Sequence, residues 1–221
     1  MTKKLNAAKK AIEFIKNGMT IGLGTGSTVE VMIQELNKEI KKGLNIKCIS
    51  TSNRTTKFAN SFGIIIDEFD NVDSIDLTID GADEVDPYMR GIKGGGGALL
   101  FEKIVASNSK KNIWIVDDSK LVNKLGNFPL PIEVIPFAAR KLLSKFEAMK
   151  LNPVIRKIDT KNFITDSGNF IIDCKIGEIE NPKELEFNLK MIPGVVEVGL
   201  FIDIADYIII GYNDRTEILE K

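Results

Sequence analysis

The sequence contains no histidine, and that absence removes more chemistry than any other feature of its composition. Triads that use imidazole as base and metal sites built on imidazole nitrogen are excluded, so catalysis must rest on carboxylates, lysines, hydroxyls and backbone amides. Only two cysteines occur, Cys48 and Cys174, far apart and inside apolar runs. They are expected to be reduced core thiols of a cytoplasmic protein rather than a disulfide or a metal pair. Excess charge is missing as well: 30 basic residues against 31 acidic ones give a formal net charge of −1, which makes no electrostatic case for nucleic acid or an anionic membrane. No run approaches the ~20 apolar residues that cross a bilayer, and the basic stretch at the N-terminus lacks the apolar centre of a secretion signal. What remains is an ordinary globular composition, 43% hydrophobic and 28% charged, in 221 residues. That is room for one large domain, or a main domain and a small one.

Apolar periodicity divides the chain into two textures. Leu5, Ala8, Ile12 and Ile15 share one helical face over 3–17, which Asn17-Gly18 ends. A strand over Thr20 to Leu23 runs into GLGTGST (22–28), and Val29, Met32, Ile33, Leu36 and Ile40 then recur at helical spacing. Lys47 to Ser50 reads as a strand that ends in the hydroxyl-rich stretch Ser50 to Thr56. Lys57 to Phe62 reads as helix, and Ile64 to Ile66, Ile75 to Ile79 and Ile113 to Val116 as further strands. Strands alternating with helices predict right-handed crossovers and a doubly wound, mostly parallel sheet. Three prolines within Phe128 to Pro136 mark the change. Beyond them come a helix over Phe137 to Lys150 and strands at Val154 to Ile158, Asn162 to Thr165 and Asn169 to Lys175, the last two joined by the hairpin signal Asp166-Ser167-Gly168. A helix start at Asn181-Pro182 and a strand over Val195 to Phe201 complete a small α+β texture, and Tyr207 to Gly211 is expected to rejoin the first sheet.

Three places carry candidate chemistry. A strand, a glycine loop with Thr25, Ser27 and Thr28, and a helix start make an anion site, because helix N-terminal amides and the helix dipole favour phosphate. The loop has no Walker lysine, and Ser27 stands where a dinucleotide fingerprint needs its third glycine, so a small phosphorylated metabolite fits better. The simpler alternative is a turn that merely lets strand and helix pack closely. After Ile79, the carboxylates Asp80, Asp83, Glu84 and Asp86 crowd one turn, where they could form a site, hold magnesium or make a solvated loop. Lys93 then precedes Gly94 to Gly97, whose backbone can approach a substrate and stabilise an oxyanion, and Glu102 follows near a helix start as a possible general base.

GLGTGST (22–28), DGADEVD (80–86), KGGGGAL with FEK (93–103), VDDSK (116–120), FPLPIEVIP (128–136) and PGVVEVGLF (193–201) follow one another in an order and spacing that resembles ribose-5-phosphate isomerase of type A, over nearly the whole chain from Lys4 to Gly211. The resemblance implies an aldose–ketose isomerase of the pentose phosphate pathway that uses neither metal nor organic cofactor. It implies that Glu102 is the base that moves a proton from C2 to C1 through a cis-enediolate. Lys93 and the amides of Gly94, Gly95 and Gly96 would stabilise the enediolate oxygens. Asp80 and Asp83, with Gly81 and Ala82 between them, would hold the sugar, one aspartate helping to open its ring. Thr25, Gly26, Ser27, Thr28 and Lys120 would line the phosphate end, and Lys4 falls where the family can bring an N-terminal lysine to that phosphate. The implied fold is a Rossmann-like α/β domain over 1–128 plus 205–221, with a smaller ferredoxin-like α+β domain inserted at 129–204 and assembly as a homodimer or homotetramer. Two other functions fit parts of the pattern. An aminosugar-phosphate deaminase looks to histidine for ring opening, and this chain has none. A sugar-phosphate sensor could keep the 22–28 loop without the base and the lysine, whereas Glu102 and Lys93 are both present.

Overall fold

The structure is a computed structural model that describes all residues, Met1–Lys221. Its first elements are helix α1 (Thr2–Ile12), strand β1 (Thr20–Leu23), α2 (Ser27–Lys41), β2 (Lys47–Ser50), α3 (Asn53–Ser61) and β3 (Leu77–Asp80). The short strands β4 (Glu84–Val85) and β5 (Gly91–Ile92) precede α4 (Leu99–Ser107), β6 (Asn112–Asp117) and β7 (Leu130–Val134). Next come α5 (Ala139–Ala148), β8 (Pro153–Ile155), β9 (Lys157–Ile158), β10 (Lys161–Asn162) and β11 (Phe170–Cys174). The chain closes with α6 (Pro182–Lys190), β12 (Val195–Val198), β13 (Leu200–Phe201), β14 (Tyr207–Gly211) and β15 (Thr216–Glu220). They pack as two compact units: 1–82 with 101–121 and 203–221, and 83–100 with 122–202.

The first unit is built on a six-stranded sheet of order β15-β14-β6-β3-β1-β2. All neighbours are parallel except the edge strand β15, which returns antiparallel along β14. Tyr207 to Gly211 rejoins this sheet as expected. Alternation along the strands decides what each face packs. Ile21 and Leu23 of β1 and Leu77 and Ile79 of β3 enter the core shared with Ala7, Ala8 and Ala11 of α1 and Met32, Ile33 and Leu36 of α2. Gly22 and Thr78 face the other way, and a Cβ on Gly22 would stand 2.9 Å from Val105 Cγ1, so glycine there lets α4 lie close to the sheet. Strand order reverses between β1 and β3, and the crevice at the carboxyl ends of such a pair is where ligands of open α/β sheets bind.

The second unit has the order β12-β7-β11-β8 in a four-stranded antiparallel sheet. With α5 after β7 and α6 after β11, this is the ferredoxin-like arrangement, with the β9–β10 hairpin added between β8 and β11. Leu130, Ile132 and Val134 of β7 meet Leu142 and Phe146 of α5 and Leu189 of α6 in its core. The fully buried Phe146 alone is worth about 1.5–3 kcal/mol by burial of its ring. A three-stranded sheet, β13-β5-β4, belongs to the same unit. The segment 83–100 therefore packs here and not with the parallel sheet, because Gly91 and Ile92 pair with Phe201 and Leu200. Residues 122–128 follow it: Glu84 accepts the amides of Gly126 at 2.7 Å and Phe128 at 2.6 Å.

Several elements differ from the sequence expectation. Ile64 to Ile66 forms no strand; β2 is the sheet edge, the one bond to it is the Asp67 amide on the Cys48 carbonyl at 2.7 Å, and Ile65 is 80% exposed. The hydroxyl-rich stretch opens α3 four residues early, with Ser52 as the cap that accepts the Thr55 amide. The turn at 166–168 forms, its ends joined by the Thr165 amide on the Asn169 carbonyl at 2.9 Å, but β10 stops at Asn162 and pairs with β9 instead of β11.

Candidate active site

In the first unit the glycine loop leaves β1 and enters α2 through Gly26 at φ 131°, a conformation open to glycine. Ser27 is exposed and Gly26 and Thr28 are half-buried, so the first amides of α2 face outward. Thr25 is different. Its hydroxyl lies among Thr51 Oγ1 (2.8 Å), Ser52 Oγ (2.8 Å) and Thr55 Oγ1 (3.3 Å), and its amide donates to Asp80 Oδ1 at 2.9 Å. The Gly81 amide donates to the same oxygen at 2.7 Å. Asp80, 3% exposed, thus ties the end of β3 to the loop after β1, and it lies so close to Gly24 that a Cβ there would overlap its carboxyl.

Two lysines of α1 reach the same end of the sheet because Gly211 admits the helix. A Cβ on Gly211 would stand 1.9 Å from the Lys3 carbonyl oxygen. Lys3 Nζ donates to both carboxylate oxygens of Asp118 (2.6 and 2.9 Å), and Lys4 Nζ donates to Ser27 Oγ at 2.8 Å. Lys120 ends the short helical turn that begins at Asp118, after β6, and is half-buried. Glu102 lies in the first turn of α4 and is 3% exposed. It shares a helix face with Val105 and stands one turn nearer the N-terminus, where the dipole favours an anion.

In the second unit Lys93 follows β5 and is 3% exposed, its Nζ 5.1 Å from the centre of the Phe201 ring. Its amide donates to the Gly199 carbonyl at 2.9 Å, an approach that requires glycine, since a Cβ on Gly199 would stand 2.4 Å from the Lys93 carbonyl oxygen. Gly94 to Gly97 form a turn closed by the Gly97 amide on the Gly94 carbonyl at 3.0 Å, with φ of 103° at Gly94 and 82° at Gly97. Asp83 Oδ2 accepts the Gly95 amide at 2.7 Å, and Gly95 and Gly96 are exposed. The four crowded acids therefore divide. Glu84 is 4% and Asp86 1% exposed, and both are taken up by structure: Glu84 by two amides, Asp86 by the amides of Tyr88 and Arg90 and by the Arg90 guanidinium. Asp83 stands at the glycine turn and Asp80 at the glycine loop.

Thus Thr25 to Thr28, Asp80, Gly81, Ala82, Glu102, Lys120 and Lys4 lie in the first unit, and Asp83, Lys93 and Gly94 to Gly96 in the second. Sequence reasoning missed the inward turn of the Thr25 hydroxyl and the guanidinium of Arg156, which donates to the Gly94 carbonyl at 2.8 Å. Neither has a local signal; both depend on partners distant in the chain. Both cysteines are buried and free, one in each unit, and burial pushes each thiol up to about 12.

The profile of the ribose 5-phosphate isomerase A (phosphoriboisomerase A) family matches residues 47–215. Ribose-5-phosphate isomerase A of Levilactobacillus brevis is 50% identical over 218 residues, 98% of this chain and 96% of the relative. The same-named protein of Limosilactobacillus reuteri is 49% identical, also over 98% of this chain and 96% of its own. A solved D-ribose-5-phosphate isomerase in complex with phospho-erythronic acid superposes with a TM-score of 0.95 at 42% identity, covering 100% of this chain and 98% of that one. Ribose 5-phosphate isomerase A of Methanocaldococcus jannaschii gives a TM-score of 0.93 at 41% identity, over 99% and 98% of the two chains.

Proposed function

The chain belongs to the ribose-5-phosphate isomerase A family, and on that footing we propose that it interconverts D-ribose 5-phosphate and D-ribulose 5-phosphate in the pentose phosphate pathway. The observation that carries the mechanism is the carboxylate of Glu102, 3% exposed at the start of α4 in a chain without histidine. In the open-chain aldose, the C2 proton passes to Glu102 and the electron pair it leaves forms the C1–C2 double bond of a cis-enediolate. Glu102 returns that proton to C1 while the hydroxyl proton of O2 moves to O1, so aldehyde becomes alcohol, alcohol becomes ketone, and no atom is gained or lost. The buried Lys93 side chain and the amides of Gly94 and Gly96 stabilise the enediolate oxygens, while the Gly95 amide is taken by Asp83 and holds the turn in place.

At the other end of the substrate, the phosphate takes the amides of Gly26, Ser27 and Thr28 at the α2 N-terminus, with Lys4 and Lys120 as counter-charges. Lys4 supports this reading by its bond to Ser27 Oγ. Thr25 acts by shaping the loop, since its amide and hydroxyl are both engaged inside the unit. The stretch Asp80, Gly81, Ala82 and Asp83 holds the sugar hydroxyls, and one of the two aspartates moves the proton that opens the furanose.

The same reading includes a cytoplasmic enzyme, supported by the two free thiols; no helix is long and apolar enough to cross a membrane. It also includes a homodimer or homotetramer, supported by exposed apolar side chains of the ferredoxin-like unit: Phe137 is 98%, Met191 67% and Phe187 64% exposed. Light scattering tests the assembly, and a monomer at micromolar concentration would refute it. The reaction itself is tested by incubating chelator-treated protein with ribose 5-phosphate in D₂O and following products by NMR. Ribulose 5-phosphate with solvent deuterium at C1 is the expected result. Binding without conversion would overturn the assignment in favour of a sensor.

A further inference from the structure

Arg156 stands between β8 and β9, and four donors of its guanidinium are engaged inside the second unit. Nε donates to Asp173 Oδ2 at 2.8 Å and Nη2 to Asp173 Oδ1 at 2.5 Å, while Nη1 donates to the carbonyls of Gly94 (2.8 Å) and Gly95 (3.1 Å). The pair is well covered, with side-chain exposures of 15% for Arg156 and 23% for Asp173. From Arg156 the chain makes the β9–β10 hairpin and returns at Phe163, whose amide donates to the Arg156 carbonyl at 2.9 Å. The Phe163 ring then fills the space that a side chain on Gly97 would need, its Cζ 2.3 Å from the Cβ position. Both ends of the hairpin thus rest on the glycine turn.

Each peptide plane joins a carbonyl to the amide of the next residue. The Gly94 carbonyl shares its plane with the Gly95 amide, and the Gly95 carbonyl with the Gly96 amide. A cation bonded to the carbonyl oxygen draws density along the O–C–N resonance, so the N–H at the other end becomes a stronger donor. We propose that Arg156 is a positioning residue of the isomerase: locked by Asp173, it fixes the 94–97 turn, strengthens the bond of the Gly95 amide to Asp83 through the Gly94 carbonyl, and polarises the Gly96 amide toward the enediolate through the Gly95 carbonyl. Phe163 backs the turn at Gly97. Lysine cannot replace the arginine, because one ammonium cannot serve two carbonyls and a bidentate carboxylate in fixed directions. The inference rests on the proposed role of the glycine turn as the enediolate's oxyanion site.

Steady-state kinetics on Arg156→Met, Arg156→Lys and Asp173→Asn test it, with ribose 5-phosphate as substrate and phospho-erythronate, whose planar carboxylate resembles the enediolate, as inhibitor. Arg156→Met is expected to lose about tenfold or more in kcat, less than the ~10²–10³ lost with a direct oxyanion donor. KM should stay within about threefold, and the inhibition constant of phospho-erythronate should rise in step with the loss of kcat. Arg156→Lys should remain impaired, Asp173→Asn should fall between, and added guanidinium chloride at low millimolar concentration should restore part of the Arg156→Met activity. A purely structural role would lower the melting temperature and the active fraction without moving the inhibition constant, and that result overturns the proposal. So does a kcat within about twofold of the parent in both Arg156 variants; if Arg156→Met fails to fold, Arg156→Lys and Asp173→Asn decide. Lys93→Ala separates the failures. If it loses kcat while the Arg156 variants do not, only the role of Arg156 falls; if all are silent, the oxyanion site falls with it.

Discussion

Replacing Gly24 with alanine strikes the junction between the two strands that carry the glycine loop and Asp80. A Cβ at Gly24 would lie 2.0 Å from Asp80 Oδ1, 2.2 Å from its Cγ and 2.6 Å from its Cα. Rotation of the side chain relieves the first two overlaps but not the third. The Gly24 amide is bonded to the Ile79 carbonyl at 2.9 Å, so the backbones cannot separate without breaking the ladder. Either β1 and β3 part at their carboxyl ends or Asp80 turns away from the Thr25 and Gly81 amides, which it holds at 2.9 and 2.7 Å. Overpacking of this kind costs about 1–3 kcal/mol, and a hydrogen bond to a charged group contributes about 1.5–3 kcal/mol. A loss of about 3–5 kcal/mol follows, and at ~2–4 °C per kcal/mol for a chain of this size the midpoint should fall by roughly 10 °C. Thermal unfolding followed by circular dichroism reads the shift, and KM for ribose 5-phosphate should rise as the loop moves. In a double-mutant cycle with Asp80→Ala the losses should be less than additive, because the second change removes atoms the first collides with. A midpoint within about 2 °C of the parent, or strict additivity, would refute the reasoning.

Glu102→Gln should bind ribose 5-phosphate with calorimetric affinity close to the parent while losing ~10²–10⁴ in kcat, and undiminished turnover would remove Glu102 from the mechanism. Lys4→Ala should raise KM about tenfold with kcat little changed, since the phosphate proposed as its partner is present in ground and transition states alike; a loss confined to kcat would contradict this. The Asp76 carboxyl is held below its usual range, first by the hydrogen bond from Lys110 and next by the Thr20 amide. Its stabilisation is therefore present above the unfolded-state pKa of ~3.9 and is lost as pH falls through the lowered folded value. Asp76→Asn should be less stable than the parent at neutral pH, with the gap closing in acid; a gap that persists at about pH 2 would contradict the pairing. Ellman's reagent at mildly alkaline pH should label neither Cys48 nor Cys174 in the folded protein and both after denaturation, because burial pushes both thiols up to about 12; rapid labelling of the folded protein would show the thiols to be accessible.

Much of the fold was legible because apolar period is a local quantity. The runs at Thr20, Lys47, Ile75 and Ile113 all became parallel strands, and Tyr207 to Gly211 found its place beside β6. Two-residue strands were not legible. Gly91 and Ile92 show no periodicity, and their pairing with Phe201 and Leu200 moves the acidic turn and the glycine turn into the second unit. Ile64 to Ile66 carries the composition of a strand, but no neighbour is available beyond β2. The edge strand β15, with mostly exposed residues, offered no apolar run to detect.

For the site the division is sharper. The sequence by itself determined its inventory: a carboxylate for a base in a chain without histidine, a lysine before four glycines, and a glycine loop with hydroxyls at a helix start. These follow from residue type and near-neighbour spacing, which a chain carries whether folded or not. Tertiary structure alone decided which of four neighbouring acids stay with the loops, since Glu84 and Asp86 are consumed by amides and a guanidinium. It turned the Thr25 hydroxyl inward, brought Lys4 to Ser27 through the close approach at Gly211, and set Arg156 on the glycine turn. Each of these is a hydrogen bond or a steric allowance between residues far apart in the chain, and such partners exist only once the strands and helices have packed.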